Sequence, residues 1–314
     1  MSDSDFVWSE RKRDAMKIRA KMLDAARSWF KEHEFVEVQG PVIIPAVGDW
    51  PSYFEVKYFD RKAYLTQGLQ PYAEVLMANL GKIYTIAPSF RVEKAVTKRH
   101  LTEYWQIEAE VPNGSLNDII TIEEQLVAHI CLGLCEEARA ELERVHRDIE
   151  DLKNVKIPFP RISYDDAIRV LQRDGFDIQW GTKLDWEDER HLSLQFSQPF
   201  FITEFPVGVE TFFYQPHPEK PGLTLSVDLL APEGCGEIST GGQPVIEKEE
   251  LVRKMKDERI SPEEQKWYLC LKEESSTPYS GFAMGVERLT QWICKLEQIG
   301  EASAFPRLVN DIYP

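Results

Sequence analysis

The chain has 314 residues, 43% of them apolar, and sets 53 acidic against 37 basic side chains for a formal net charge of −16. That length suits one large domain with a sizeable core, and the acidic balance argues against a broad nucleic-acid surface, so no DNA partner is expected. No apolar run reaches the ~18 residues of a spanning helix, and "MSDSDFVWSERKRDAMK" lacks the apolar stretch of a signal peptide; a cytoplasmic protein without membrane contact is expected.

From the N-terminus, apolar positions at helical spacing predict an amphipathic helix over 12–33. "FVEVQGPVIIP" follows as a strand broken at Gly40-Pro41, and "YFEVKYFDRKAYLT" alternates like a hairpin cut at Asp60-Arg61. A helix over 69–80 precedes the strand "KIYTIAPSF". Two antiparallel strands near 88–93 and 101–111 then flank a basic loop holding Lys94, Lys98, Arg99 and His100. A long helical region covers 117–150, and Ser163 with Asp166 three residues on caps the helix "YDDAIRVLQR". Strands are expected at 200–205, 211–214, 223–230 and 236–240, and helices near 247–257, 261–273 and 285–296.

This order lacks regular strand–helix–strand alternation. It predicts a mixed α/β (α+β) domain, a mainly antiparallel sheet flanked by helices, over residues 1–314. A small insertion is expected near 143–200, with the "IPFPR" segment as its boundary. Five cysteines, at 131, 135, 235, 270 and 294, contain no CxxC pair and read as reduced core thiols. Tryptophans are expected to serve packing, and strand alternation turns Trp105 away from the face of Tyr104. Glu74 is left open between a pocket wall and solvent.

Three stretches carry chemistry. "FRVEKAVTKRHLTEYWQIEAE" (90–110) runs a cationic loop into carboxylates. "DLLAPEGCGEISTGG" (228–242) sets Asp228 and Glu237 on successive strands, as a pair of carboxylates for one magnesium ion would require. "GFAMGVERLTQWI" (281–293) turns a strand into a helix whose first turn holds Glu287 and Arg288, an arginine suited to bidentate phosphate contact. Singly, each also reads as a solvated turn.

Together the three stretches resemble the signature motifs of class II aminoacyl-tRNA synthetases, with "FKEHEFVEVQGPVIIP" as motif 1, the part that pairs two cores as a homodimer. The resemblance covers nearly the whole chain and is nearest to the asparaginyl and aspartyl branch, through "AYLTQGLQPYAEVLMANLGKIYTIAPSFRVE", "GEISTGGQ" and "AFPRL". It implies a class II synthetase-like fold, ATP and Mg2+, and ATP-dependent activation of a small amino acid as an aminoacyl-adenylate. By resemblance, Arg91 holds the α-phosphate, Glu93 the adenine amino group, and Tyr104 stacks on the ring. Arg99 and His100 reach the outer phosphates, Arg288 clamps the γ-phosphate, and Asp228 and Glu237 hold the metal. Gln70 and Glu108 belong to the amino-acid pocket.

The sequence also departs from that pattern. Fewer residues precede the first helix than an anticodon-binding barrel needs, so no such barrel is expected. Free-standing cores of this kind resemble the archaeal asparagine synthetase related to asparaginyl-tRNA synthetase; that enzyme, or a non-catalytic regulatory paralogue, is the alternative. The acyl acceptor is left open between a tRNA acceptor end and a small amine. Ala73 stands where aspartyl enzymes carry a lysine, and Pro244 where both branches carry an arginine. An unmatched buried polar partner costs ~1–3 kcal/mol, enough to change specificity. Asparagine, aspartate or an amine-bearing analogue all stay open, with aspartate disfavoured beside Glu108.

Overall fold

The computed structural model describes residues 8–45, 53–92, 99–257, 260–263, 265–274 and 277–312. Helix α1 (Glu10–Glu32) begins where Ser9 accepts a hydrogen bond from the Lys12 amide. Its Ile18, Met22, Ala26 and Trp29, spaced three and four apart, are buried as one stripe. Short strands β1 (Val36–Glu37) and β2 (Ile43–Ile44) follow, then the hairpin β3 (Glu55–Tyr58) and β4 (Arg61–Leu65). Helix α2 (Gln70–Leu80) leads into β5 (Ile83–Phe90) and β6 (Glu103–Pro112), paired antiparallel from Ile83↔Glu110 to Phe90↔Glu103.

The expected long helical region is three helices: α3 (Leu116–Glu137), α4 (Arg139–Arg144) and α5 (Ile149–Lys153). His146, at φ 63°, takes a left-handed conformation that ends helical propagation. Next come β7 (Arg161–Ser163), α6 (Tyr164–Arg173), α7 (Trp186–Ser193) and β8 (Phe200–Thr203). Then come β9 (Ser226–Ala231), β10 (Gly236–Gly242), α8 (Lys248–Asp257), α9 (Lys266–Glu274), β11 (Tyr279–Gly285) and α10 (Val286–Ile293), and a 3-10 turn at Ile299–Ala302 completes the order. The Ser163 cap on Asp166 is present.

The strand expected at 211–214 does not form. Between Glu204 and Leu225 the backbone makes only isolated bridges, among them Tyr214↔Pro244 and Pro216↔Thr224. Pro206, Pro216, Pro218 and Pro221 have no amide hydrogen to give a ladder there. The aromatic run 212–214 instead lines a cavity. Likewise the helix expected from 261 starts at Lys266.

Eight strands form one sheet in the order β1-β5-β6-β11-β10-β9-β8-β7. The pairs at its two edges, β1 with β5 and β7 with β8, are parallel, and the rest are antiparallel. One face carries the main core, where Ile107, Ala109, Val227, Leu229 and Met284 pack against apolar side chains of α1, α3 and α10. Residues 145–159 add Val145, Ile149, Leu152 and Phe159 to that core, whereas Tyr164, Ile168, Leu192, Phe200 and Ile202 form a second cluster. Cys131, Cys135 and Cys294 are buried thiols, Cys235 is half-buried, and Cys270 is exposed, contrary to a core placement; none forms a disulfide. Among the described residues no helix is long and apolar enough to cross a membrane.

Candidate active site

Strand β6 acts as a rail across the other face of the sheet. Its odd-numbered Ile107 and Ala109 enter the core, so Tyr104, Gln106, Glu108 and Glu110 face outward together. At ~3.3 Å per residue these four span about 20 Å. They border two adjoining chambers, one of about 230 Å3 beside Tyr104 and Gln106 and one of about 390 Å3 beside Glu108 and Glu110. Arg91, Thr211, Tyr214 and Thr240 line both. Trp105 turns to the opposite side, where it is partly exposed.

The smaller chamber is built of opposed charges. Arg288, in the first turn of α10, lies with Nη1 2.7 Å from Glu237 Oε1. Arg99 is buried; its Nη1 donates to Glu189 Oε2 at 2.6 Å and its Nη2 to the Glu237 carbonyl at 2.8 Å. Gly236, at φ +72°, is required here, since a Cβ would stand 2.9 Å from both Arg99 Nη1 and Glu189 Oε2. A bulge between Glu237 and Ser239 shifts the β9–β10 register. It brings Glu237 onto the face of Thr240 and its partner Asp228, which regular alternation forbids for residues three apart. Glu287 fastens α10 in place, accepting the Trp105 amide at 2.9 Å and pairing with Arg19 at 2.7 Å.

These neighbours set the titration of the carboxylates. Burial pushes Glu237 up, but Arg288, Arg99, Lys183 and Arg91 outweigh it and hold it below the usual range. Asp228 is raised well above that range by burial and by the nearby Glu210 and Glu237. Its Oδ1 is buried without a hydrogen-bond partner among the described residues. An orphaned acceptor among like charges fits a cation, so the donor set suits the divalent ion the fold implies. Among the described residues no three ligating side chains are grouped to hold a metal by themselves.

In the larger chamber Gln70 opens α2, and Glu108 Oε2 accepts the Leu69 amide at 2.8 Å. Burial raises Glu108 to about 7. Glu110 is pushed well above the usual range by burial, by Glu108 and by Glu74, against the pull of Lys272. Its carboxyl lies over Gly281, where a Cβ would stand 1.7 Å from Oε2. Pro244 lines the chamber wall, and Ala73 is fully buried in the small core with Leu69, Met77 and Tyr279. Glu74 takes neither place left open for it: it is buried and ion-paired with Lys272, whose Nζ also donates to the Val245 carbonyl at 2.9 Å.

Arg91, Arg99, His100, Tyr104, Asp228, Glu237 and Arg288 thus surround the smaller chamber, and Gln70 and Glu108 the larger. Glu93 lies outside the described residues, as do Lys94 and Lys98. Sequence reasoning missed Lys183, Glu189, Glu210 and Gln265, which reach the chambers from distant segments without a local motif. Glu110 was within its reach, through the alternation with Glu108.

A largely antiparallel sheet with an arginine- and carboxylate-lined chamber adjoining a second chamber is the arrangement expected of a class II aminoacyl-tRNA synthetase catalytic core. Residues 5–309 match the family described as tRNA synthetases class II (D, K and N), and the chain belongs to that family of ATP-dependent ligases. Within it, similar proteins include asparaginyl enzymes. The asparagine–tRNA ligase of Thermococcus gammatolerans is 40% identical over 300 residues, covering 95% of this chain and 70% of the relative. That of Pyrococcus furiosus is 41% identical, covering 95% and 69%. The crystal structure of asparaginyl-tRNA synthetase from Pyrococcus horikoshii complexed with asparaginyl-adenylate superposes with a TM-score of 0.93 at 39% identity, over 97% of this chain and 70% of that one. Entamoeba histolytica asparaginyl-tRNA synthetase in complex with asparaginyl-adenylate gives 0.89 at 30% identity, over 98% and 69%.

Proposed function

We propose that this catalytic core condenses ATP with a small amino acid, asparagine or a close analogue, to an aminoacyl-adenylate and passes the acyl group to an acceptor such as a tRNA end. The observation that carries this reading is the pair of adjoining chambers with Arg91 on the wall of both. Nucleotide in the smaller chamber and amino acid in the larger meet at that arginine, which neutralises the α-phosphate as the substrate carboxylate attacks. Such a reaction asks for positioning and charge neutralisation, with little proton chemistry from the protein.

Tyr104 offers its ring to adenine, His100 lies toward the outer phosphates, Arg288 clamps the terminal one, and Arg99, held by Glu189 and the Glu237 carbonyl, adds positive charge behind them. Asp228 and Glu237 would hold Mg2+, which supplies charge neutralisation to the phosphates when bound. Gln70 and Glu108 orient the amino acid. The asparaginyl relatives favour this ligase over an aspartate-using asparagine synthetase or a regulatory paralogue.

We further infer a cytoplasmic homodimer, its pairing supported by the exposed apolar Val36, Val42 and Ile43 in the segment that follows α1. ATP–pyrophosphate exchange across a panel of amino acids tests the reading. Amino-acid-dependent exchange is expected, and its absence from a folded protein that binds Mg-ATP would overturn it.

A further inference from the structure

The larger chamber holds buried polar atoms that nothing in the described protein satisfies. Glu108 Oε1, Glu110 Oε2, and both Oε1 and Nε2 of Gln265 have no hydrogen-bond partner among the described residues. All three side chains line the chamber, and each is more than nine-tenths buried, with exposures of 4%, 5% and 0%. Native proteins seldom leave such atoms unmatched unless a ligand matches them. Three of these four atoms are oxygens, and with the two carboxyls ionised all three accept, so a matching group is rich in N–H.

Charge narrows the choice. The titratable groups of this region are Tyr53, Glu74, Arg91, Glu108, Glu110, Tyr214, Tyr268, Lys272 and Tyr279. Lys272 of α9 is committed to Glu74 of α2 and to the Val245 carbonyl. Two further carboxyl groups share the chamber with one lining cation among the described residues, Arg91, which the reading above gives to the α-phosphate. An amide brings two donors and an acceptor but no charge. An ammonium brings three donors, no acceptor and the compensating charge. Spacing adds a length requirement: Glu110 lies one strand repeat, roughly 6–7 Å, beyond Glu108 on the same rail. A head group that meets both carboxyls stands on a side chain longer than that needed to reach Glu108 alone.

We propose that Glu108, Glu110 and Gln265 form an ammonium site, and that the amino acid activated is an α,ω-diamino acid rather than asparagine. The proposal rests on the adenylation reading above and specifies its substrate class. Glu108 and Glu110 contribute the charge, and Gln265 Oε1 the third acceptor. Were Glu110 instead a protonated donor to a side-chain carbonyl, asparagine would be the better substrate, and the same experiment decides between them.

The experiment is pyrophosphate exchange with asparagine, aspartate, glutamine, 2,3-diaminopropionate, 2,4-diaminobutyrate, ornithine and lysine, run on wild type, Glu110→Gln and Gln265→Leu. One diamino acid is expected to exceed asparagine in kcat/KM by about tenfold to a hundredfold. Glu110→Gln should collapse that ratio toward unity, and Gln265→Leu should lower it, while Mg-ATP binding by calorimetry stays unchanged in both. Asparagine as the best wild-type substrate would overturn the ammonium site and leave the adenylation reading standing. A diamino-acid preference that survives Glu110→Gln would also overturn the site. No exchange with any amino acid, in protein that binds Mg-ATP, would overturn the adenylation reading and the site with it.

Discussion

Glu108→Gln tests the buried floor of the larger chamber through stability and activity at once. Burial raises the Glu108 carboxyl from its usual 4.5 to about 7. The folded chain therefore keeps a proton that the unfolded chain releases between those two values. Stability is full below pH 4.5, falls as pH rises, and above pH 7 has lost roughly 3 kcal/mol, at 1.36 kcal/mol per pH interval. Glutamine cannot ionise, yet its Oε1 can still accept the Leu69 amide, so the variant escapes the loss at little structural cost. The stability of Glu108→Gln relative to wild type should then be roughly 2–3 kcal/mol more favourable at pH 8 than at pH 5. Urea denaturation at the two pH values measures this. Pyrophosphate exchange with the preferred substrate should fall in the same variant. An equal stability difference at pH 5 and pH 8 would refute the buried, proton-holding carboxyl, and undiminished exchange would remove Glu108 from the substrate site.

Further outcomes follow from the same geometry. Arg288→Ala should lower exchange by about 10²–10³-fold, as expected for removing a donor aimed at developing charge, with the thermal unfolding midpoint nearly unchanged. Glu189→Ala strands the buried Arg99 guanidinium, and urea titration should read a loss of about 3–5 kcal/mol. Gly281→Ala drives a methyl carbon into the Glu110 carboxyl, so KM for the amino acid should rise while calorimetric Mg-ATP affinity holds. Light scattering at micromolar concentration should return twice the mass of one chain; a single-chain mass would count against the homodimer.

Much of the site was legible because its information is local. Side chains on a strand alternate with period two, so Tyr104, Gln106, Glu108 and Glu110 share a face wherever β6 lies, and Trp105 is excluded from it. The Ser163 cap, the strand-to-helix turn at 281–288 and the paired strands around the basic loop are likewise consequences of neighbours in the chain. Where local pattern and tertiary context disagreed, context prevailed. The aromatic run 212–214 reads as a strand, yet the surrounding prolines deny it a ladder and it becomes cavity wall.

What the sequence alone determined, then, is the antiparallel architecture, the face of β6 and the residues of the three motifs. Tertiary structure alone decided the rest. Glu237 meets Asp228 because a bulge, invisible to alternation, changes its face. Glu189 and Gln265 enter the chambers from segments remote along the chain, and Glu74 goes under the floor to Lys272. The titration of each carboxyl is the least local property of all. It depends on how completely other segments exclude water from that group and which charges they bring beside it, and neither is encoded by the residues next to it in the chain.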